Sequence, residues 1–175
     1  MKKQDISENQ VNFVYLSLGS NLGNKKNNIE KAKFLLNSSG INILKTSNYY
    51  KTKSWPNNNF PDFLNIVLFA KTKNNFEEIF TRIKNIEEII GRKKAPKNYP
   101  RICDIDIIDF NGLCISEEAN KNKIIVPHIN MHKRNFVLMP LYEINKYWIH
   151  PKFKKNILKL ISNLSISDLT AIKFI

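Results

Sequence analysis

The chain has 175 residues, of which 42% are apolar and 25% charged, and its net charge is +13. This composition indicates one globular domain and excludes a fibrous or disordered chain. Two cysteines without a CxxC pattern exclude a disulfide framework and a zinc cluster, and they favour a reducing cytoplasm. The positive charge favours an anionic partner, although a lysine-rich codon bias explains most of it equally well.

Residues 1–11 are polar, and we expect a flexible extension there and a single domain over residues 12–175. Hydrophobic periodicity and turn residues then predict a strand (14–18), a turn (19–24), a helix (25–38), a strand within 41–52, a loop (54–61), a strand (63–72), a helix (76–90) ended by Gly91, a basic loop (92–100) and a strand (102–110). Helices near 135–144 and 154–163 follow. The longest apolar stretch, 63–70, is too short to span a bilayer.

This order, β-α-β-β-α-β, predicts an α+β fold with a ferredoxin-like core. We expect an antiparallel sheet with two helices on one face and extra C-terminal strands and helices. Because this fold hosts many unrelated functions, the function has to come from particular residues.

Two aspartates share one face of the predicted strand over residues 102–110. Residues two positions apart in a strand point the same way, so the carboxylates of Asp104 and Asp106 would lie about 7 Å apart. Such a pair persists on a buried strand only with a compensating cation, and magnesium together with substrate phosphates suits it. The alternative is a solvent-facing pair on an edge strand.

A basic loop precedes this strand. Arg92 and Arg101 bracket it in a chain that has only four arginines. Positioned guanidinium groups beside a metal-binding carboxylate pair are what phosphoryl transfer requires. For the lysines between them, a solvated surface loop is the simpler interpretation.

Three further features are ambiguous on their own. His128 and Arg134 lie six residues apart around a turn, which also fits a helix cap and a surface arginine. Phe63 and Asn65 share a strand face and could stack on and read a flat heterocycle, or could be a core aromatic and an edge amide. The segment Gly19–Gly23 has no Walker A spacing and predicts only a tight turn.

Together these features resemble the 6-hydroxymethyl-7,8-dihydropterin pyrophosphokinase family of folate biosynthesis. The matching segments occur in the family's order over about residues 13–151 and are L-G-S-N-L-G, Y-Y-K-T, F-P-D-F-L-N, I-E-x-x-x-G-R, P-R-x-x-D-I-D-I-I and V-P-H-x-x-M-x-x-R-x-F-V-L-x-P-L-x-E-I. The last two blocks are highly specific.

The resemblance implies transfer of the β,γ-pyrophosphoryl unit of ATP to the hydroxymethyl oxygen of the pterin, giving AMP. It implies that Asp104 and Asp106 hold two magnesium ions and act in catalysis with Arg92 and Arg101. It assigns ATP binding to Glu87, Lys94, Ile107, His128 and Arg134, and pterin binding to Thr52, Phe63, Asn65, Tyr99 and Phe136. The implied partners are these small molecules, with no nucleic acid and no membrane, for a cytoplasmic monomer.

The chain departs from the family pattern near both substrates. Lys53-Ser54-Trp55 replaces prolines and a small apolar residue, so pterin contacts are expected from the backbone there. The loop after Arg92 looks one residue shorter than in well-known members. Tyr99 and Lys94 stand where those members often have tryptophan and arginine, and Phe63 where many have tyrosine.

Two other functions remain open from the residues alone. A ferredoxin-like sheet with positive charge could bind RNA, but the RNP1 pattern is absent and paired aspartates repel phosphates. A magnesium-dependent nuclease could use the same aspartates. AMP formation that depends on the hydroxymethyl pterin would separate these possibilities.

Overall fold

The computed structural model describes residues 10–96, 98–119 and 122–175. Most of the expected extension, residues 1–9, lies outside the described residues, and residues 10 and 11 are exposed coil. The strands are β1 Asn12–Ser20, β2 Asn42–Thr46, β3 Tyr50–Thr52, β4 Phe63–Thr72, β5 Asp104–Phe110, β6 Ile115–Ala119, β7 Asn122–Val126 and β8 Lys173–Phe174. The helices are α1 Lys25–Ser38, α2 Phe76–Ile90, α3 Asn135–Ile144, α4 Ile157–Ile161 and α5 Ile166–Thr170, with a 3-10 turn at Met131–Lys133.

The main sheet is antiparallel and has the order β5-β1-β4-β3-β8, with β2 also paired to β4. β6 and β7 form a separate hairpin. Counting β2 and β3 as one interrupted strand, the order of the four core strands is the ferredoxin-like one, which confirms the predicted fold class. β4 lies in the centre, as its nearly continuous apolar sequence predicts.

The two main helices begin and end at residues that the sequence supplies for this purpose. Asn24 caps α1 by accepting a hydrogen bond from the backbone N–H of Asn27. Asn75 and Glu78 form a capping box at the start of α2. Gly91 ends α2 with φ of 108°, a left-handed conformation that glycine adopts at little cost.

Each face of the sheet carries its own apolar core. On one face, Val14, Leu16 and Leu18 of β1 pack with α1 and α2. On the other face, Val67 and Ile108 pack with residues of α3 and α4. The extra C-terminal helices therefore cover only part of the second face, and the polar residues described below occupy the rest of it.

Three predicted elements differ from those observed. The strand expected within 41–52 is interrupted between β2 and β3, because the Ser47 hydroxyl accepts the backbone N–H of Val67 and so takes over a position in the ladder. The strand expected at 102 begins at Asp104. The last helix is shorter than expected, since Asn156 caps α4 and Ser165 starts a separate helix, α5.

None of the helices in the described ranges is long and apolar enough to cross a membrane.

Candidate active site

The two aspartates lie on the polar face of β5. Asp104 pairs with Gly19 of β1 and Asp106 with Ser17. β5 is an edge strand of the main sheet, yet most of its residues are buried, as expected for this strand. The pair is nevertheless not simply solvated, because the side chains are only 25% and 32% exposed and both meet arginines.

Three arginines converge on this pair from two loops. Arg92 Nη1 donates to Asp104 Oδ1 at 2.6 Å, and Arg101 Nη1 donates to Asp104 Oδ2 at 2.8 Å. Arg134 Nη1 lies 3.5 Å from Asp106 Oδ2. The structure thus brings together the five charged residues that the sequence singled out around the strand.

Burial is the main cause that raises the pKa of Asp106, to about 6, and the neighbouring charge of Asp104 adds to it. Arg134 opposes the shift. A carboxylate that ionises with difficulty next to another carboxylate has a high affinity for a compensating cation. In the described ranges, no cluster of three or more His, Cys, Asp or Glu side chains has the arrangement of a metal site. Two carboxylates fit magnesium, which typically takes its other ligands from phosphates and water.

Glu87 lies behind the pair, between α2 and β5, and is 2% exposed. Its Oε1 accepts the backbone N–H of Ile105 at 2.8 Å and also an N–H of Arg92, and its Oε2 accepts Lys84 Nζ at 2.9 Å. Burial is the largest cause that raises the pKa of Glu87. The Glu87 carboxylate therefore holds Arg92 beside Asp104 and fixes the backbone at the start of β5.

A cavity of about 310 Å³ opens beside β5, between α2 and β7. Its lining combines three polar side chains with seven apolar ones, and comprises Lys84, Asp106 and His128 together with Phe80, Ile83, Ile105, Ile107, Ile124, Ile125 and Val126. The edge position of β5 creates this space. Two of the residues expected to bind ATP, Ile107 and His128, line the cavity, whereas Lys94 is exposed on the loop after Arg92.

Burial and the charge of Arg134 lower the pKa of His128 to about 4, so the imidazole is neutral at pH 7. Its Nδ1 accepts the backbone N–H of Asn130 at 3.2 Å, which leaves the proton on Nε2. That Nε2 lies 3.4 Å from Arg134 Nη1. Two donors this close together suit a shared anionic oxygen.

A second group of polar residues lies further along the same face, across β1. Asn65 Nδ2 donates to Thr52 Oγ1 at 3.0 Å and to the backbone oxygen of Tyr50 at 3.4 Å. These bonds turn Asn65 Oδ1 towards Gly19, where a methyl carbon on the glycine Cα would lie 3.0 Å from it and 3.5 Å from the ring of Phe63. The missing side chain of Gly19 thus lets the Asn65 amide oxygen and the Phe63 ring come close to the backbone of β1 on this face of the sheet.

Two other aromatic residues, Phe136 and Tyr99, were expected to bind the pterin, and they lie on separate segments of the chain. Phe136 begins α3 on this face, with the guanidinium of Arg134 5.5 Å from its ring centre. Tyr99 packs against Phe60, with ring centres 5.6 Å apart, and is half exposed. The loop carrying Tyr99 is therefore in contact with the loop that precedes β4.

Sequence reasoning missed Asn21, which is buried and bonded to both loops, and Phe60, the partner of Tyr99. It also gave Gly19 no role beyond a turn. The turn over residues 19–24 also contains Ser20 and Asn24, so its local sequence contains no signal that singles out Asn21. His132 and His150 pack against the ring of Phe153.

Residues 15–146 match the family model of 7,8-dihydro-6-hydroxymethylpterin-pyrophosphokinase (HPPK). A 2-amino-4-hydroxy-6-hydroxymethyldihydropteridine pyrophosphokinase of Aquifex aeolicus is 41% identical over 143 residues, covering 81% of this chain and 86% of that protein. The Bacillus subtilis protein of the same name is 34% identical over 134 residues, which cover 76% of this chain and 78% of that protein.

Longer proteins also match. The folic acid synthesis protein fol1 of Pneumocystis carinii is 36% identical over 147 residues, which are 83% of this chain but 19% of that protein. A crystal structure of Plasmodium falciparum HPPK-DHPS has a TM-score of 0.75 at 19% identity and covers 91% of this chain and 46% of that one. At this identity the structural likeness shows the fold alone.

Proposed function

Because the chain belongs to the 7,8-dihydro-6-hydroxymethylpterin-pyrophosphokinase family, we propose that the polar face of β1, β4 and β5 is where it carries out this family's reaction. The chain is a pyrophosphokinase of folate synthesis, with ATP as co-substrate. One observation supports this location. The carboxylate pair and the three arginines share a face of the sheet with the cavity and with Phe63 and Asn65, here called the aromatic–amide site.

In the proposed reaction, the hydroxymethyl oxygen of the pterin attacks the β-phosphorus of ATP. The bond between that phosphorus and the oxygen bridging to the α-phosphate breaks, AMP leaves with the bridging oxygen, and the hydroxyl proton is lost. Both substrates have to lie on one surface with the hydroxymethyl group close to the β-phosphorus. The nucleotide cavity and the aromatic–amide site flank the carboxylate pair, which suits this requirement.

Asp104 and Asp106 would hold magnesium, two ions in the expectation from the resemblance. When bound, magnesium neutralises phosphate charge and fixes the orientation of the transferred group. The raised pKa of Asp106 and its place in the lining of the cavity support this assignment.

The arginines would stabilise the charge that develops on the phosphate oxygens. Arg92 and Arg101 already converge on Asp104 from the two ends of their loop. Arg134 and the Nε2 proton of His128 converge on one point beside the cavity, where they would bind a phosphate oxygen. Ile107 would contact the nucleoside, and Lys94 would reach the phosphates from the loop. Glu87 has its donors already and would act on ATP by holding Arg92.

The pterin would lie over Gly19, with Asn65 Oδ1 accepting a ring N–H and with Phe63 and Phe136 against the ring faces. Thr52 orients Asn65 by accepting its amide N–H, so that the oxygen rather than the nitrogen meets the ligand. Tyr99, already in contact with Phe60, would close the loop over the site and exclude water.

Isothermal titration with α,β-methylene-ATP tests the proposal, because the analogue lacks the bond that breaks. We expect binding that depends on magnesium and then binding of 6-hydroxymethyl-7,8-dihydropterin to the loaded protein. With ATP itself, AMP should form only when the pterin is present. An RNA-binding module or a nuclease would instead bind or cut RNA and form no pterin-dependent AMP.

The chain's assembly and location are proposals as well. We propose a cytoplasmic monomer with one domain over residues 12–175, since the assigned residues converge on one sheet and Cys103 and Cys114 are both free thiols. Light scattering during size-exclusion chromatography would contradict the monomer if it gave twice the mass of 20.5 kDa.

A further inference from the structure

Asn21, in the turn after β1, is buried and makes more contacts between distant segments than a turn requires. It is 1% exposed. Its Oδ1 accepts the backbone N–H of Arg101 at 2.7 Å, and its own backbone N–H donates to the carbonyl oxygen of Arg101 at 3.2 Å. The segment holding Arg101 is therefore fixed to the end of β1 by a pair of hydrogen bonds.

The same carboxamide also holds the loop on the other side. Its Nδ2 donates to Ser54 Oγ at 3.2 Å and to the carbonyl oxygen of Pro61 at 3.3 Å. Ser54, 2% exposed, in turn donates to the Pro61 oxygen at 2.6 Å. The orientation of the amide follows from its partners, because the Arg101 N–H can only donate and the Pro61 oxygen can only accept.

Two loops of the proposed site thus meet on one side chain. The first, residues 53–62, is here called the pterin-side loop, because it joins Thr52 to Phe63. The second, from Arg92 to Arg101, is the arginine loop. The two loops also touch through the rings of Phe60 and Tyr99. Asn21 bonds the two loops at Ser54, Pro61 and Arg101, and Phe60 and Tyr99 make a second contact close to these bonds.

We propose that Asn21 is a positioning residue that sets the two loops relative to each other, and so sets the pterin relative to the guanidinium of Arg101. This inference rests on the proposed function and adds to it a residue with no contact to the reacting atoms. Its oxygen acts on the phosphate side, because it fixes the backbone of Arg101. Its nitrogen acts on the pterin side, because it fixes both ends of the pterin-side loop.

Because the oxygen and the nitrogen of the Asn21 side chain act on different loops, the variants Asn21→Asp and Asn21→Ala should have different effects. In Asn21→Asp one oxygen still accepts the Arg101 N–H, but the other cannot donate and faces the Pro61 oxygen. We expect KM for the pterin to rise about tenfold, with KM for ATP and kcat within about twofold. In Asn21→Ala both sides are released, so kcat should also fall about tenfold.

Amide hydrogen exchange of the ligand-free protein, followed residue by residue by NMR, gives a readout that needs no substrate. The Arg101 amide should exchange at least about tenfold faster in Asn21→Ala and remain slow in Asn21→Asp. Amides in the middle of β1, such as that of Leu16, should not change. Asn28→Ala in α1 is the matched control, since the Asn28 side chain donates to Ser20 Oγ and the Leu22 oxygen and, among the described residues, bonds neither loop; it should change none of these quantities more than about twofold.

The proposal is overturned if the two Asn21 variants change KM for both substrates alike, if neither changes pterin KM, or if exchange accelerates equally throughout the sheet. If Asn21→Ala does not fold, Asn21→Asp decides alone by its separate effects on the two KM values. A wild-type protein without pyrophosphokinase activity would refute the proposed function, whereas the exchange result at Arg101 would still test the hydrogen bonds of Asn21.

Discussion

Substitution of Gly19 by alanine should separate the fold from pterin binding. Gly19 lies in β1 between Asn65 of β4 and Asp104 of β5, and its backbone is not in the left-handed region. An alanine is therefore compatible with the strand. Its methyl carbon would meet Asn65 Oδ1 at 3.0 Å and the ring of Phe63 at 3.5 Å, on the surface assigned to the pterin.

Two opposing terms set the expected magnitudes. Alanine in a strand is more favourable than glycine by about 0.5–1 kcal/mol, and the contact at 3.0 Å offsets part of this, so the melting temperature should stay within about 3 °C of the wild type. Asn65 must move by a few tenths of an ångström, but Thr52 holds its amide group. Misplacing one hydrogen bond to a bound ligand costs about 1–2 kcal/mol, or about 5- to 30-fold in pterin affinity.

The assay is calorimetric titration of 6-hydroxymethyl-7,8-dihydropterin into protein loaded with magnesium and α,β-methylene-ATP. The internal control is the affinity of the same variant for the nucleotide analogue alone, which we expect to change less than about twofold. A folded Gly19→Ala protein with wild-type pterin affinity would refute the placement of the pterin over Gly19.

Substitutions at three further positions test other parts of the site. Asp106→Asn should abolish turnover in a coupled AMP assay, yet raise the free energy of unfolding of the ligand-free protein by about 1 kcal/mol at about pH 7.5. The pKa of about 6 already includes the attraction of Arg134 and corresponds to about 3 kcal/mol against ionisation in the folded state, which solvent screening of this 32% exposed side chain reduces to about a third. Because the unfolded carboxyl titrates near 3.8, urea unfolding should show this gain in full above about pH 6 and none below about pH 4; a constant gain would contradict the assigned pKa. Arg101→Ala should lower kcat about 100-fold in single-turnover measurements while the affinity for α,β-methylene-ATP changes less than about fivefold, and an effect on KM alone would make Arg101 an ordinary phosphate anchor. Tyr99→Ala, which loses the contact with Phe60, should slow turnover several-fold without weakening binary nucleotide binding, whereas Tyr99→Phe should behave like the wild type.

The features that follow from local patterns could be predicted from the sequence. Alternation in β4 and β5 placed Phe63 with Asn65 and Asp104 with Asp106 on shared faces, and the period of two fixes this whatever the strand order. Gly91 marked the end of α2 because a left-handed residue is needed there.

The features that depend on contacts between distant segments could not be predicted from the sequence. Asn21 bonds residues 33, 40 and 80 positions away, and no local pattern encodes such pairs. The edge position of β5 follows from the order of strands, which apolar content alone does not determine. The break between β2 and β3 depends on one hydroxyl, that of Ser47, bonding a strand twenty residues later.

The pairing of the site's arginines with its own carboxylates has a consequence for ionic strength. Lys84, Arg92, Arg101 and Arg134 face Glu87, Asp104 and Asp106 in direct ion pairs, so this cluster carries a single excess positive charge in a chain of +13. When the nucleotide binds, its phosphates would therefore replace carboxylates as partners of these arginines. Because the cluster is nearly neutral, few counter-ions would be released. Added salt should slow the encounter with ATP, through screening of the remaining surface charge, far more than it speeds dissociation.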